Sequence, residues 1–117
     1  MKLVIPGRPV PAVRMTQRSK FISKQAQRYL EYKNIIGWTA KVAGFRPKHS
    51  LYEVAATAYI DLRKRDMDVD NLAKSLIDGL NGIVWHDDRQ VVKLSIEKVY
   101  VDDAREQKAV IEIKEVS

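Results

Sequence analysis

Between residues 51 and 63 the chain alternates: Val54, Ala56, Ala58, Ile60 and Leu62 fall on one side of a period of two, Ala55, Thr57, Tyr59, Asp61 and Arg63 on the other. That spacing predicts a strand with one fully apolar face. Upstream, the period lengthens to that of a helix from Ser23, a suitable N-cap, to about Ala43. Ala26, Leu30, Lys33 and Gly37 lie on one stripe and Tyr29, Tyr32, Ile36, Ala40 and Ala43 on its neighbour, with Lys24, Gln27, Arg28, Glu31 and Lys41 over much of the rest. Helical spacing assigns Trp38 and the tyrosines to a core or an interface rather than to base stacking. Gly44 and Pro47 stop the helix. A second, shorter helix runs from Asp70 or Asn71 to Leu80, with Leu72, Leu76 and Leu80 at intervals of four, Ile77 beside them, and Asn71, Lys74 and Asp78 on the polar side. Asp70 is placed to cap it.

Shorter signals complete the order. Lys2 to Ile5 reads as a strand ended by Pro6-Gly7, and Gly7-Arg8-Pro9-Val10-Pro11-Ala12-Val13-Arg14 as an extended loop, because its prolines forbid a helix. Asn81-Gly82 stops the second helix, Ile83-Val84-Trp85 packs back, and His86-Asp87-Asp88 turns into a long strand over residues 91–101. Asp102 to Gln107 is a polar turn, and Lys108 to Val116 a closing strand with Ala109, Ile111 and Ile113 on one face. The sequence of elements is β-α-β-α-β-β. It predicts a single α+β domain over residues 1–117, with helices packed against a mixed sheet and the last two strands paired as a hairpin.

At 117 residues such a domain buries roughly two-thirds of its unfolded surface, so it needs no disulfide, and there is no cysteine to form one. No apolar run approaches the ~20 residues of a membrane span, and Met1 to Pro6 is too short for a signal peptide. A cytoplasmic protein is the expectation. Charge is unevenly spread. Residues 1–50 carry eleven Lys or Arg against Glu31 alone, a net +10, and residues 51–117 carry ten basic and fourteen acidic residues, a net −4. The first half suits a polyanion such as a phosphate backbone, which releases counterions when cations neutralise it. Arg8, Arg14, Arg18, Lys20 and Lys24 form a cationic run that can grip phosphates and read shape more than sequence. Alternatively, the same loop is a solvated segment whose charges serve solubility.

The second half concentrates its acids in Asp66-Met67-Asp68-Val69-Asp70 and Trp85-His86-Asp87-Asp88. On an extended backbone Asp68 and Asp70 share a face with origins about 6.5 to 7 Å apart. Two anions at about 4 Å repel by on the order of 4 kcal/mol in a dielectric near 20, so the pair calls for a cation, a shared proton or a lysine. Lys74, one turn beyond Asp70, is within reach. A hard, oxygen-seeking ion such as magnesium or manganese suits carboxylates without cysteine. Asp88 starts the last hairpin, from where the chain can return to Asp68 and Asp70. Asp66-x-Asp68-x-Asp70 also opens like a calcium loop, but Asn71 stands where glycine is needed and Ile77 where a bidentate Glu belongs. Asp66, Asp87, Asp102 and Asp103 read as solvated turn residues pairing with Lys64, Arg65 and Arg89, and His86 as a turn residue rather than a ligand.

Asp68-Val69-Asp70-Asn71-Leu72-Ala73-Lys74, followed by Asp78-Gly79-Leu80 and then Trp85-His86-Asp87-Asp88-Arg89-Gln90-Val91-Val92, resembles the RusA family of Holliday junction resolvases. Gly7-Arg8-Pro9-Val10-Pro11 with Arg14, and Phe21-Ile22-Ser23, look like the phage-type members, so the likeness spans nearly the whole chain. It implies a small homodimeric endonuclease of bacterial or phage origin that resolves four-way DNA junctions by paired symmetric nicks in recombination or repair, leaving 5′-phosphate and 3′-hydroxyl ends. Asp68, Asp70 and Asp88 match the family's essential acids, expected to hold Mg2+, with Mn2+ as substitute, and Lys74 matches the lysine beside them. The family often has several arginines before the first Asp, whereas here Arg63, Lys64 and Arg65 precede Asp66. A two-fold pair of sites suits two cuts on a near-symmetric junction, with the first helix and the final hairpin as candidate contacts between subunits. The rival readings are a non-catalytic basic DNA-binding module and a nuclease acting on flaps or forks.

Overall fold

The alternation of residues 52–61 makes a strand because one face can be wholly buried. In the computed structural model, which describes residues 1–14 and 23–116, it is β2 (Tyr52–Asp61), with Tyr52, Val54, Ala56, Ala58 and Ile60 out of solvent. In chain order the elements are β1 (Lys2–Pro6), α1 (Lys24–Val42), β2, α2 (Val69–Leu80), β3 (Val91–Val101) and β4 (Lys108–Glu115), with single 3-10 turns at Asp88–Gln90 and Ala104–Glu106. The order β-α-β-α-β-β and the mixed sheet are those the sequence predicts.

The pairing of the last two strands is not. The sheet runs β1-β4-β2-β3, with β4 antiparallel to both β1 and β2, and β3 parallel to β2. β3 and β4 are not neighbours, so the expected hairpin is replaced by two separate pairings. The reason lies in both strands. β2, α2 and β3 form a strand-helix-strand crossover, which returns the chain parallel to its start. β4 buries Ala109, Ile111 and Ile113 and can therefore occupy the centre, whereas β3 carries Lys93, Ser95, Glu97 and Lys98 and takes the edge.

Both helices cover one face of the sheet. Tyr32, Ile36 and Ala40 of α1 and Leu76 and Leu80 of α2 share a core with Leu3, Ile5, Val54, Ala56, Ile111 and Trp85. Ser23 caps α1 by accepting from the Ala26 amide at 3.2 Å, and Gly44 ends it at φ +96°, a left-handed conformation that glycine adopts without strain. The helices cross closely at Gly37 and Gly79: a Cβ at Gly79 would lie 2.8 Å from Ile36 Cβ. Trp38 is 69% exposed and lies with Ile35 and Val42 on the outer face of α1, so of the two places its spacing allows, core or interface, it is not in the core. One expectation fails locally. Leu62 is 56% exposed because β2 ends at Asp61, whose carboxylate accepts the Arg63 amide at 3.0 Å and turns the chain away.

Candidate active site

The connection from β2 to α2 carries the first acid pair. Asp68 is the extended N-cap residue of α2 and its carbonyl accepts the Leu72 amide at 3.1 Å, but its carboxylate caps nothing. Asp70, expected as the cap, lies instead in the first turn. Both are exposed. Among the described residues neither carboxylate has a hydrogen-bond or ion-pair partner, and neither does Lys74, also exposed, one turn further along. The amino-terminal end of a helix favours anions, which lowers the cost of holding this pair unpartnered.

The basic amino-terminal segment is anchored beside them. Pro9 and Ala12 are buried, and the Ala12 amide donates to the Asn71 carbonyl at 2.9 Å, so residues 7–14 dock on the start of α2 rather than float in solvent. Arg8 is half-buried. Its guanidinium donates to Gln107 Oε1 at 2.7 Å, to the Asp61 carbonyl at 3.3 Å and to the Arg65 carbonyl. Arg8 therefore clamps the loop that leads to Asp68, while Arg14 and Lys24 stand exposed. Arg18 and Lys20, with Phe21 and Ile22, lie outside the described residues.

Asp88 sits elsewhere. It opens the 3-10 turn before β3, and its Oδ1 accepts from the buried Trp85 indole at 3.0 Å. The Trp85 carbonyl accepts the Gly82 amide just past α2, which fixes this group at the carboxy-terminal end of the helix. There Tyr29 of α1 donates its hydroxyl to Asp78. Burial and then that hydrogen bond push the Tyr29 phenol well above its ordinary pKa, and the Asp88 charge adds to the rise. Asp70 and Asp78 are about 12 Å apart along the helix axis. Asp88 thus stands at the Asp78 end of α2, opposite the end that carries Asp68 and Asp70. Among the described residues no group of three or more His, Cys, Asp or Glu is placed to hold a metal ion.

Most other aspartates are occupied, Asp102 being the exception among the described residues. Asp61 is almost wholly buried, and the Arg63 side chain and amide hold its carboxyl at a pKa of about 2. Hydrogen bonds from the Met67 amide, Tyr100 and Lys98 hold Asp66 below the usual carboxylate range. Arg89 does the same for Asp87, and Arg105 for Asp103. The reading of paired turn acids is right in kind for Asp66, Asp87 and Asp103, although Lys98 and Arg105 take the places expected of Lys64 and Arg65, and Asp102 has no such pair among the described residues. His86 is a turn residue, stacked on His49 with ring centroids 4.3 Å apart.

Several supporting residues carry no clear signal in the sequence. Trp85 orients Asp88. Gln90 spends its amide on the His86 and Asp87 amides and on the Lys48 and Ser50 carbonyls, and its place three residues after Asp87 is the one exception, a recognisable capping-box spacing. Gln107, buried, joins Arg8 to the Asp61 amide. Tyr29, which its spacing assigns to the core, also links α1 to the acidic side of α2. An open groove of ≈ 800 Å³ beside that link is lined by Lys33, Trp38, Lys41, Asp78 and Asn81.

These features define a small α+β domain with a basic segment anchored against a helix that displays unpartnered acids at its start and held acids at its end. The family model described as Endodeoxyribonuclease RusA matches residues 6–114, and the chain belongs to that family. It is an endodeoxyribonuclease of a family that acts on branched junction DNA. No curated protein sequence matches the chain. No helix among the described residues is long and apolar enough to cross a membrane.

Proposed function

We propose that this chain is a magnesium-dependent resolvase that works as a homodimer and cuts four-way DNA junctions by two symmetric nicks. The observation that carries this reading is the contrast among its aspartates, of which Asp102 alone, outside the two acidic clusters, is also left without a hydrogen bond or ion pair among the described residues. Asp68 and Asp70, inside the family match, are left exposed and unpartnered, while Asp61, Asp66, Asp87 and Asp103 are all engaged. Ionised carboxylates are acceptor-only oxygens, the donor chemistry magnesium prefers, and that ion is commonly held by one or two carboxylates together with substrate phosphate and water.

One chain does not gather Asp68, Asp70 and Asp88, so the donor chemistry fits magnesium and the placement within a single chain does not. We therefore assign each site to two subunits: Asp68 and Asp70 from one chain and Asp88 from the other. When bound, magnesium supplies an activated water and neutralises charge on the phosphodiester oxygens. The protein's own part is distinct. Trp85 fixes one oxygen of Asp88 and leaves the other free. Lys74 offers an unpaired positive charge to the developing phosphorane. Arg14 and Lys24 hold the phosphate backbone, helped by Arg18 and Lys20, and Arg8 braces the loop before Asp68.

Comparing cleavage of a four-way junction, a fork and a linear duplex as magnesium is added from zero tests the proposal. Paired nicks on the junction, absent in chelator, are the expected result. Binding without any nick would make the chain a DNA-binding module, and faster cutting of forks would replace the junction as substrate.

A further inference from the structure

β3 is an edge strand of eleven residues, open along its outer side. Long edge strands invite another strand, and most proteins blunt them with prolines or cover them. Among the described residues no strand pairs with the outer side of β3, it has no proline, and Val92 and Leu94 are 55% and 46% exposed. The side chains at its middle read Lys93, Leu94, Ser95, Ile96, Glu97. Reversed, this run is complementary to itself: cation against anion, aliphatic against aliphatic, serine against serine.

Resting on the dimeric reading above, we propose that β3 pairs antiparallel with β3 of a second copy of this chain about a two-fold axis at Ser95, making one continuous sheet across the dimer. An axis perpendicular to the sheet puts both helix layers on the same side, so residues of one face meet residues of the same face. Residues therefore pair in steps of two, and of the registers left only the one centred on Ser95 sets Lys93 of each chain opposite Glu97 of the other. In that register Leu94 faces the partner's Ile96. Leu94 and Ile96 lie on the helix side of the sheet, as their pairing with Val54 and Ala56 shows, so the contact extends the core at its open margin. The antiparallel ladder also carries the partner's Asp88 toward the Tyr100–Asp102 end of β3. There Tyr100 and Lys98 hold Asp66, two residues before Asp68. The surface is thus of the kind a site shared between subunits needs.

Charge exchange tests the register. Lys93→Glu and Glu97→Lys, both at exposed positions, should each raise the dimer dissociation constant at least tenfold in sedimentation equilibrium. Their mixture should return it to near the parent value as a heterodimer, because each chain then meets its opposite charge. Ser95→Cys, in a chain without cysteine, should give a covalent dimer on mild oxidation. Single variants that dimerise like the parent, with no gain on mixing and no cross-link from Ser95→Cys, would overturn the β3 pairing and leave a homodimeric nuclease joined elsewhere. A parent chain that is monomeric yet makes paired nicks would instead defeat the dimeric reading itself.

Discussion

Asp70→Asn separates function from fold most sharply. The Asp70 carboxylate has no hydrogen bond or ion pair among the described residues, so its loss removes only the attraction between an anion and the first turn of α2, about 0.3 to 1 kcal/mol. For a domain of this size that is a fall in Tm of about 5 °C or less. Asparagine keeps the shape and the helix start, so the far-ultraviolet spectrum and junction affinity should stay with the parent. Cleavage should fall by more than about 100-fold, because even groups behind a metal's direct ligands change activity by roughly 10- to 100-fold when removed. The assay pairs a thermal melt with single-turnover cleavage of a labelled four-way junction in magnesium. A variant that cuts at the parental rate would refute the role of Asp70. A variant that loses several kcal/mol would show that the carboxylate is structural despite its exposure.

Asp61 should behave in the opposite way. Arg63 lowers its folded pKa from 3.8 to about 2, so its stabilisation is complete above the unfolded value and is lost as the pH falls through 4 toward 2. The gap in Tm between parent and Asp61→Asn should be constant near neutrality and close in that acid window, and a gap independent of pH would contradict the pairing. Gly79→Ala should destabilise by up to about 2 kcal/mol, since an added Cβ only 2.8 Å from Ile36 Cβ puts the overpacking toward the upper part of about 1 to 3 kcal/mol, against a gain of about 1 kcal/mol in helix propensity. A denaturant melt with an unchanged or higher midpoint would mean the helices part freely there. If Arg14, Lys24 and their neighbours neutralise about four phosphates, junction affinity should fall roughly 100-fold between about 50 and 200 mM salt. A flat salt dependence would leave the basic segment with no part in binding.

The elements are legible in the sequence because each has a strong local signal. The alternation of residues 52–61, the four-residue spacing of Leu72, Leu76 and Leu80, and the Ser23 cap all act within a few residues. Strand partnership is not local. A short polar connection between β3 and β4 suggests a hairpin, although strand, helix, strand from residue 52 to residue 101 already carries the pattern of a parallel crossover. Trp38 shows the limit of helical periodicity: it marks a face, and only packing decides whether that face is covered. The acids of the candidate site are legible by type and spacing. Their separation is not, because the distance between Asp70 and Asp88 depends on how the chain after α2 folds back through Trp85. Charge alone makes Arg8 a phosphate contact, but the carbonyls it clamps belong to residues more than fifty positions away.

The shared site makes a prediction that no single-chain site makes. Asp70→Asn and Asp88→Asn should each be inactive as homodimers. When the two are mixed in equal amounts and allowed to exchange subunits, heterodimers carry one doubly altered site and one intact site. About half the dimers then cut at one of two sites, giving about a quarter of the parental nicking rate. Junction nicking that stays absent after exchange, with heterodimers demonstrated by mass, would place all three carboxylates' work within one chain and contradict the account.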